Sequence, residues 1–234
     1  MTTPPYDASA SPPKLVRRPC CPGGSTSFIE PPDIETSMAY RYRSTPAPVL
    51  EELDEPPPDE RTAWHEAGHA VLGHAFGITI EIVTVTAPAR VVFASTEGLS
   101  AAQEVAKSFA GYVGEMAHTQ FWRSPYPEDG DEYLHRVETF QFGGCDGCQM
   151  AMVAWREVGL SAGIAAAREV FRAGQRLALT IGQRREVQMA IRALAASLME
   201  TNTIAGPEAH AIIEPYVKNG DLANAKENQE AACG

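Results

Sequence analysis

The sequence predicts a mainly α-helical domain that carries one small β-hairpin or sheet and follows an unstructured arm. Three observations carry that expectation. Apolar residues recur at three-and-four spacing over residues 60–76 and through most of the chain after residue 100. Between these stretches, residues 78–95 alternate apolar and polar side chains as half-buried strands do. Thirteen of the eighteen prolines fall within the first 60 residues, where fixed φ angles and missing N–H groups oppose regular structure. The 234 residues thus divide into a disordered proline-rich arm over 1–57, one domain over 58–218 and a flexible polar tail over 219–234.

The first element of the domain is a helix over about residues 60–76. Asp59 is placed to cap it, Glu60 puts an acid in its first turn, and Gly77 suits its end. Trp64, Ala67, Gly68, Val71, Leu72 and Ala75 form its apolar stripe. A glycine inside a helix costs about 1 kcal/mol relative to alanine, so Gly68 predicts a close approach by another backbone. Residues 78–86 then read as a strand, Pro88 as a turn and 90–95 as a second strand; either strand could offer an edge to an extended peptide. Ser100 and Gln103 form a capping box for a helix reaching about residue 121. Residues 124–144, rich in Pro, Asp and Gly, read as a loop. Helices over about 148–157, 161–180, 182–200 and 207–217 complete the domain.

Within the first helix lies His65-Glu66-Ala67-Gly68-His69, an HExxH pattern. Residues four apart on a helix sit roughly 40° from one another and one turn up, so both imidazoles can reach one metal ion. Catalytic zinc takes three protein ligands and leaves a fourth position to water, and a carboxylate beside that water can act as general base and then general acid. Glu66 stands where that carboxylate belongs. His74 lies nine residues after His65, roughly 180° round the helix, and is excluded as a further ligand. The third ligand comes from elsewhere, with Asp146, Glu115 and His118 as candidates. Asp146 also reads as a helix cap with Gln149 three residues on, and Glu115 as a carboxylate orienting a ligand histidine.

Several runs resemble the peptidase domain of FtsH-type ATP-dependent zinc proteases. They are Ala63 to Val71 around the histidine motif, the strand with Ile82-Val83-Thr84-Val85, the helix bearing Ala110 to Ala117, the segment Gly143 to Ala151, and Leu198 to Glu208. The resemblance covers about residues 58–216 and keeps the family's order of elements. It implies a helical zinc-metallopeptidase domain, with His65, His69 and Asp146 as Zn(II) ligands and Glu66 as the catalytic carboxylate. The expected activity is that of a zinc metalloendopeptidase. The alternative is a non-catalytic binding module that keeps the fold and holds a protein partner; Glu66 favours the enzyme, since a zinc-stabilised scaffold has no use for a carboxylate beside a metal-bound water.

The chain departs from that family in two respects. No phosphate-binding GxxxxGK sequence occurs, so the resemblance is to the peptidase portion alone. Unfolded segments or small proteins are the expected substrates, with a separate ATPase or unfoldase chain as a further expected partner. Cys145 and Cys148 flank Asp146 as a CxxC pair; Cys20 and Cys21 are adjacent and Cys233 is near the terminus, so a four-cysteine zinc site is not expected and the pair reads as structural or incidental thiols.

Composition bounds the remaining classes. A net charge of -11 argues against nucleic acid or an anionic membrane as main partner. No apolar run approaches the roughly 20 residues that span a bilayer, and no secretory pattern opens the chain. Five cysteines without disulfide-rich spacing fit a reducing compartment, and a cytoplasmic location is expected.

Overall fold

A computed structural model describes residues 15–21, 24–29, 59–86, 89–122, 130–139 and 142–222. The described residues form seven α-helices and two small antiparallel sheets, so the mainly helical expectation holds. The helices are α1 (Glu60–Ala75), α2 (Ala101–Thr119), α3 (Asp131–Glu138), α4 (Asp146–Val158), α5 (Gly163–Gly182), α6 (Arg185–Thr201) and α7 (Gly206–Ile213). The strands are β1 (Leu15–Cys21), β2 (Gly24–Ile29), β3 (Ile80–Thr84), β4 (Arg90–Phe93) and β5 (Thr203–Ala205).

Helix α1 begins where its capping residue predicts: Asp59 accepts from the backbone N–H and the hydroxyl of Thr62, both at 2.8 Å. It ends at Phe76 and Gly77, the latter at φ +82°, a conformation that favours glycine. Its sequence predicts one apolar stripe, but Ala63, Ala70, Gly73 and His74 are buried as well. The physical reason is its place in the fold, with α2, α6, α7, β3 and β4 all packed against it. Small residues let α2 come close. A Cβ on Gly68 would lie 2.1 Å from the Ala110 carbonyl oxygen, and one on Gly114 would lie 1.9 Å from that of Trp64. The close approach predicted at Gly68 is therefore made by the backbone of α2. That helix starts at the predicted capping box, with Ser100 and Gln103 each bonded to the other.

The second sheet has the order β4-β3-β5. β3 is central, pairing Val83 with Val91 on one side and with Ile204 on the other. Of the two predicted strands, only β4 therefore keeps an edge unpaired among the described residues, which corrects the expectation that either could receive a peptide. β5 has only three residues, too few to leave a periodicity in the sequence.

The predicted loop over 124–144 contains α3. It holds Tyr133 and Leu134 in the core, the Trp155 indole N–H donates to the Leu134 carbonyl at 2.9 Å, and Arg168 forks onto Asp131 at 2.7 and 2.8 Å. Tertiary packing thus overrides a glycine- and acid-rich composition. Within the proline-rich arm, β1 and β2 pair antiparallel from Leu15↔Ile29 to Cys21↔Gly24, with a register irregularity between Pro19 and Cys21. A two-stranded hairpin has only edges, where proline is tolerated. At the other end, residues 219–222 are tied to the domain: the Gly220 and Leu222 amides donate to the His74 and Ala75 carbonyls at 3.1 and 2.9 Å. The second bond satisfies a carbonyl at the end of α1, while the His74 carbonyl also accepts from the Gly77 amide at 2.9 Å. No described helix is long and apolar enough to cross a membrane.

Candidate metal centre

Three helices meet at the HExxH motif. On α2, Lys107, Gly111 and Glu115 recur every four residues and so share one face. Each touches the motif differently. The His69 Nδ1–H donates to the Lys107 carbonyl at 2.8 Å, and the His65 Nδ1–H donates to the Glu115 carboxylate at 2.8 Å. Between them Gly111 leaves room for both rings, because a Cβ there would lie 2.3 Å from His65 Nε2 and 2.6 Å from His69 Nε2. Arg61, a turn before His65, holds the other Glu115 oxygen from Nε and Nη2, each at 2.8 Å. The Tyr112 ring stands edge-on to His65 at 5.6 Å between centroids.

The third helix supplies Asp146. It is the first residue of α4, Cys145 is the N-cap, and neither side chain makes a capping hydrogen bond. Gln149 donates instead to the Gly144 carbonyl at 2.8 Å. The capping-box reading of Asp146 is thereby removed, and its carboxylate turns toward the histidines. Asp146 Oδ2 lies 3.1 Å from His65 Nε2 and 3.3 Å from His69 Nε2, and the two Nε2 atoms lie 3.2 Å apart. The three donor atoms form a nearly equilateral triangle. Ligands about 2.0–2.1 Å from a tetrahedral centre would be about 3.3–3.4 Å from one another, so the triangle has the dimensions of one face of such a site.

Hydrogen-bond logic sharpens the fit. Both Nδ1 atoms donate, so in the neutral rings each Nε2 keeps a lone pair, and the two converge with a carboxylate oxygen. A proton on one nitrogen can serve one neighbour at a time; a cation serves all three. Burial opposes a charge on His65, yet the Asp146 and Glu115 carboxylates outweigh it and hold its pKa up to about 10. Burial would raise the Asp146 pKa, but His69 and His65 keep it well below the usual carboxylate range. The N-terminus of α4 favours the same ionised form. His65, His69 and Asp146 are the group of histidine, cysteine and acidic side chains among the described residues that could hold a metal ion.

The other predicted residues fall into place around this triangle. Glu66 is 6% exposed and makes no hydrogen bond or ion pair among the described residues. Burial raises its pKa, only partly offset by His69 and His65. Glu115 meets His65 at Nδ1, the nitrogen away from the triangle, and lies outside the group that could hold a metal ion; burial would raise its pKa, but the bonds from His65 and Arg61 bring it below the usual value. His118 sits elsewhere, tilted against Trp64 at 5.0 Å and 3.8 Å from Glu60, on a groove that also includes Met189 and Met199. Cys148 is buried in the core and Cys145 is half-buried; neither is in a disulfide and both lie outside the metal group. The sequence reading passed over Lys107, Gly111 and Arg61. The four-residue spacing of Lys107, Gly111 and Glu115 was the available signal for a shared face.

No protein-family model matches the chain, and no curated protein matches it either.

Proposed function

We propose that the protein is a zinc-dependent endopeptidase of the kind found in the peptidase portion of FtsH-type proteases, acting on unfolded segments or small proteins. The observation that carries this reading is the unpartnered buried carboxylate of Glu66 beside a three-atom ligand face. Two neutral imidazoles and one carboxylate are an ordinary donor set for a catalytic zinc with an open position. Zn(II) bound there supplies a Lewis acid that lets water lose a proton near neutral pH.

The chain's own residues supply the rest. His65 and His69 offer Nε2 because Glu115 and the Lys107 carbonyl hold the opposite nitrogen as a donor. Gly111 keeps the space between the rings free of side-chain atoms. Glu66, with a pKa raised by burial, is suited to take a proton from water and pass it to the leaving amine. The unpaired edge of β4 offers backbone groups to an extended substrate.

The binding-module reading shares the ligand triangle and differs at Glu66. Bound zinc and casein hydrolysis are to be measured for the wild type and for Glu66→Gln. The expected result is unchanged metal content with hydrolysis reduced by about 10²- to 10⁴-fold in the variant. Stoichiometric zinc with no hydrolysis in either protein would establish the binding module instead.

A further inference from the structure

Lys107 does more than lend its carbonyl to His69. Its side chain leaves the α2 face that carries Gly111 and Glu115, and its Nζ stands 5.3 Å from the centroid of the Phe93 ring. Phe93 is the last residue of β4, the strand with the unpaired edge, and it is seated against α1 where a Cβ on Gly73 would lie 2.3 Å from the ring. The ammonium therefore stands over the last residue of β4 and within electrostatic reach of Asp146.

It is also without a mate. The side chain is half-buried and makes no hydrogen bond or ion pair among the described residues. The two acids that act on it electrostatically are engaged elsewhere: Glu104 pairs with Arg156 at 2.5 Å, and Asp146 faces the two imidazoles. A desolvated charge is costly unless it is paired, and a ring face compensates an ammonium only in part. Beside β4 and within reach of Asp146, such a cation suits an anionic group on a peptide ligand.

We propose that Lys107 is a specificity-determining residue that binds a carboxylate of the peptide lying along β4. The proposal rests on the peptidase reading for its substrate class. The carboxylate has two sources, an acidic side chain near the cleaved bond or a free C-terminus, and both present the same chemistry to the ammonium.

The test uses the full chain loaded with zinc and carrying Glu66→Gln, so that peptides bind without turnover. Three fluorescent octapeptides are compared by anisotropy: one with a central glutamate and an amidated end, one with a central glutamine and a free end, and one with a central glutamine and an amidated end. A charge-assisted hydrogen bond predicts that an acid-bearing peptide binds roughly tenfold tighter than the neutral one. Whichever acid-bearing peptide shows the gain identifies the source. Lys107→Met is expected to abolish the difference and Lys107→Arg to keep most of it, with metal content and thermal midpoint serving as controls for folding. If Lys107→Met does not fold, Lys107→Gln is read in its place. Three peptides that bind alike, or not at all, overturn the proposal, as does discrimination that persists in a folded Lys107→Met or Lys107→Gln protein. Wild-type protein that binds an acidic peptide through Lys107 but cleaves no peptide overturns the peptidase reading and leaves the carboxylate site standing.

Discussion

At one pair of histidines, His74 and His210, each nitrogen has a complementary partner; at the other, His65 and His69, the two Nε2 atoms face each other beside a carboxylate. The first pair forms a closed chain. The Ile80 amide donates to His210 Nε2 at 3.0 Å, His210 Nδ1–H donates to His74 Nδ1 at 2.6 Å, and His74 Nε2–H reaches the Val217 carbonyl at 2.9 Å and Glu214 at 3.1 Å. Both rings are satisfied as neutral imidazoles, and the chain joins β3, α7, α1 and the residues after α7. The second pair is satisfied only when something positive stands between its members. One helix, α1, carries a member of each pair, so composition alone does not separate a structural histidine from a ligand. What separates them is whether the donors and acceptors already match.

Removing Asp146 tests that difference most severely. Asp146→Ala or His69→Ala is expected to abolish stoichiometric zinc, a larger loss than the 10- to 100-fold typical of outer partners. His74→Gln is expected to retain one zinc per chain, as measured by metal analysis after dialysis. Equal metal loss in both would erase the contrast.

Gly111→Ala probes the same contrast without touching a ligand. Its Cβ would press on His65 Cε1 and Nε2 at 2.3 Å, so zinc content should fall while all three donors remain in the sequence. Unchanged zinc affinity by chelator competition would show that the rings can move apart without losing the site. Glu115→Gln should weaken zinc by about 10- to 100-fold in that same assay, since it removes the charge that orients His65 but leaves a group able to accept.

The smallest effect is on stability against pH, and its sign differs between the pairs. Burial lowers the pKa of His74 and of His210, with the Val217 carbonyl and Glu214 acting in the opposite sense on His74. Their stabilising contribution is therefore present above the unfolded value of about 6.5 and is lost as pH falls through the lower folded values. His65 behaves in reverse. With its pKa raised to about 10, its contribution is present below about 6.5 and is lost as pH rises toward 10. Thermal midpoints of chelator-treated protein should show His210→Ala flattening the acid side and zinc flattening the alkaline side. His210→Ala with an unchanged acid limb would remove the histidine chain from the account.

The helices were legible wherever a cap and a period coincide. Asp59, Ser100 and Gln103 mark the starts of α1 and α2 in the sequence, and the structure begins both helices there. Inside 124–144 no such signal marks α3, because the Trp155 and Arg168 contacts that hold it come from α4 and α5. The site divides in the same way. His65, Glu66 and His69 are fixed by helical geometry alone, whereas residue spacing leaves Glu115, His118 and Asp146 all open, and only the family resemblance singles out Asp146 before the helices are packed.

By itself the sequence determined the local chemistry: a capped helix that puts two imidazoles on one face, and a glycine in it that only a close neighbour explains. Only the tertiary structure decided that the neighbour is α2, that Gly111 leaves space for the rings, and that Asp146 turns to them instead of capping α4. The reason is range. Caps and periods act over a few residues, while the third corner of the triangle depends on how α1, α2 and α4 pack, which no short spacing records.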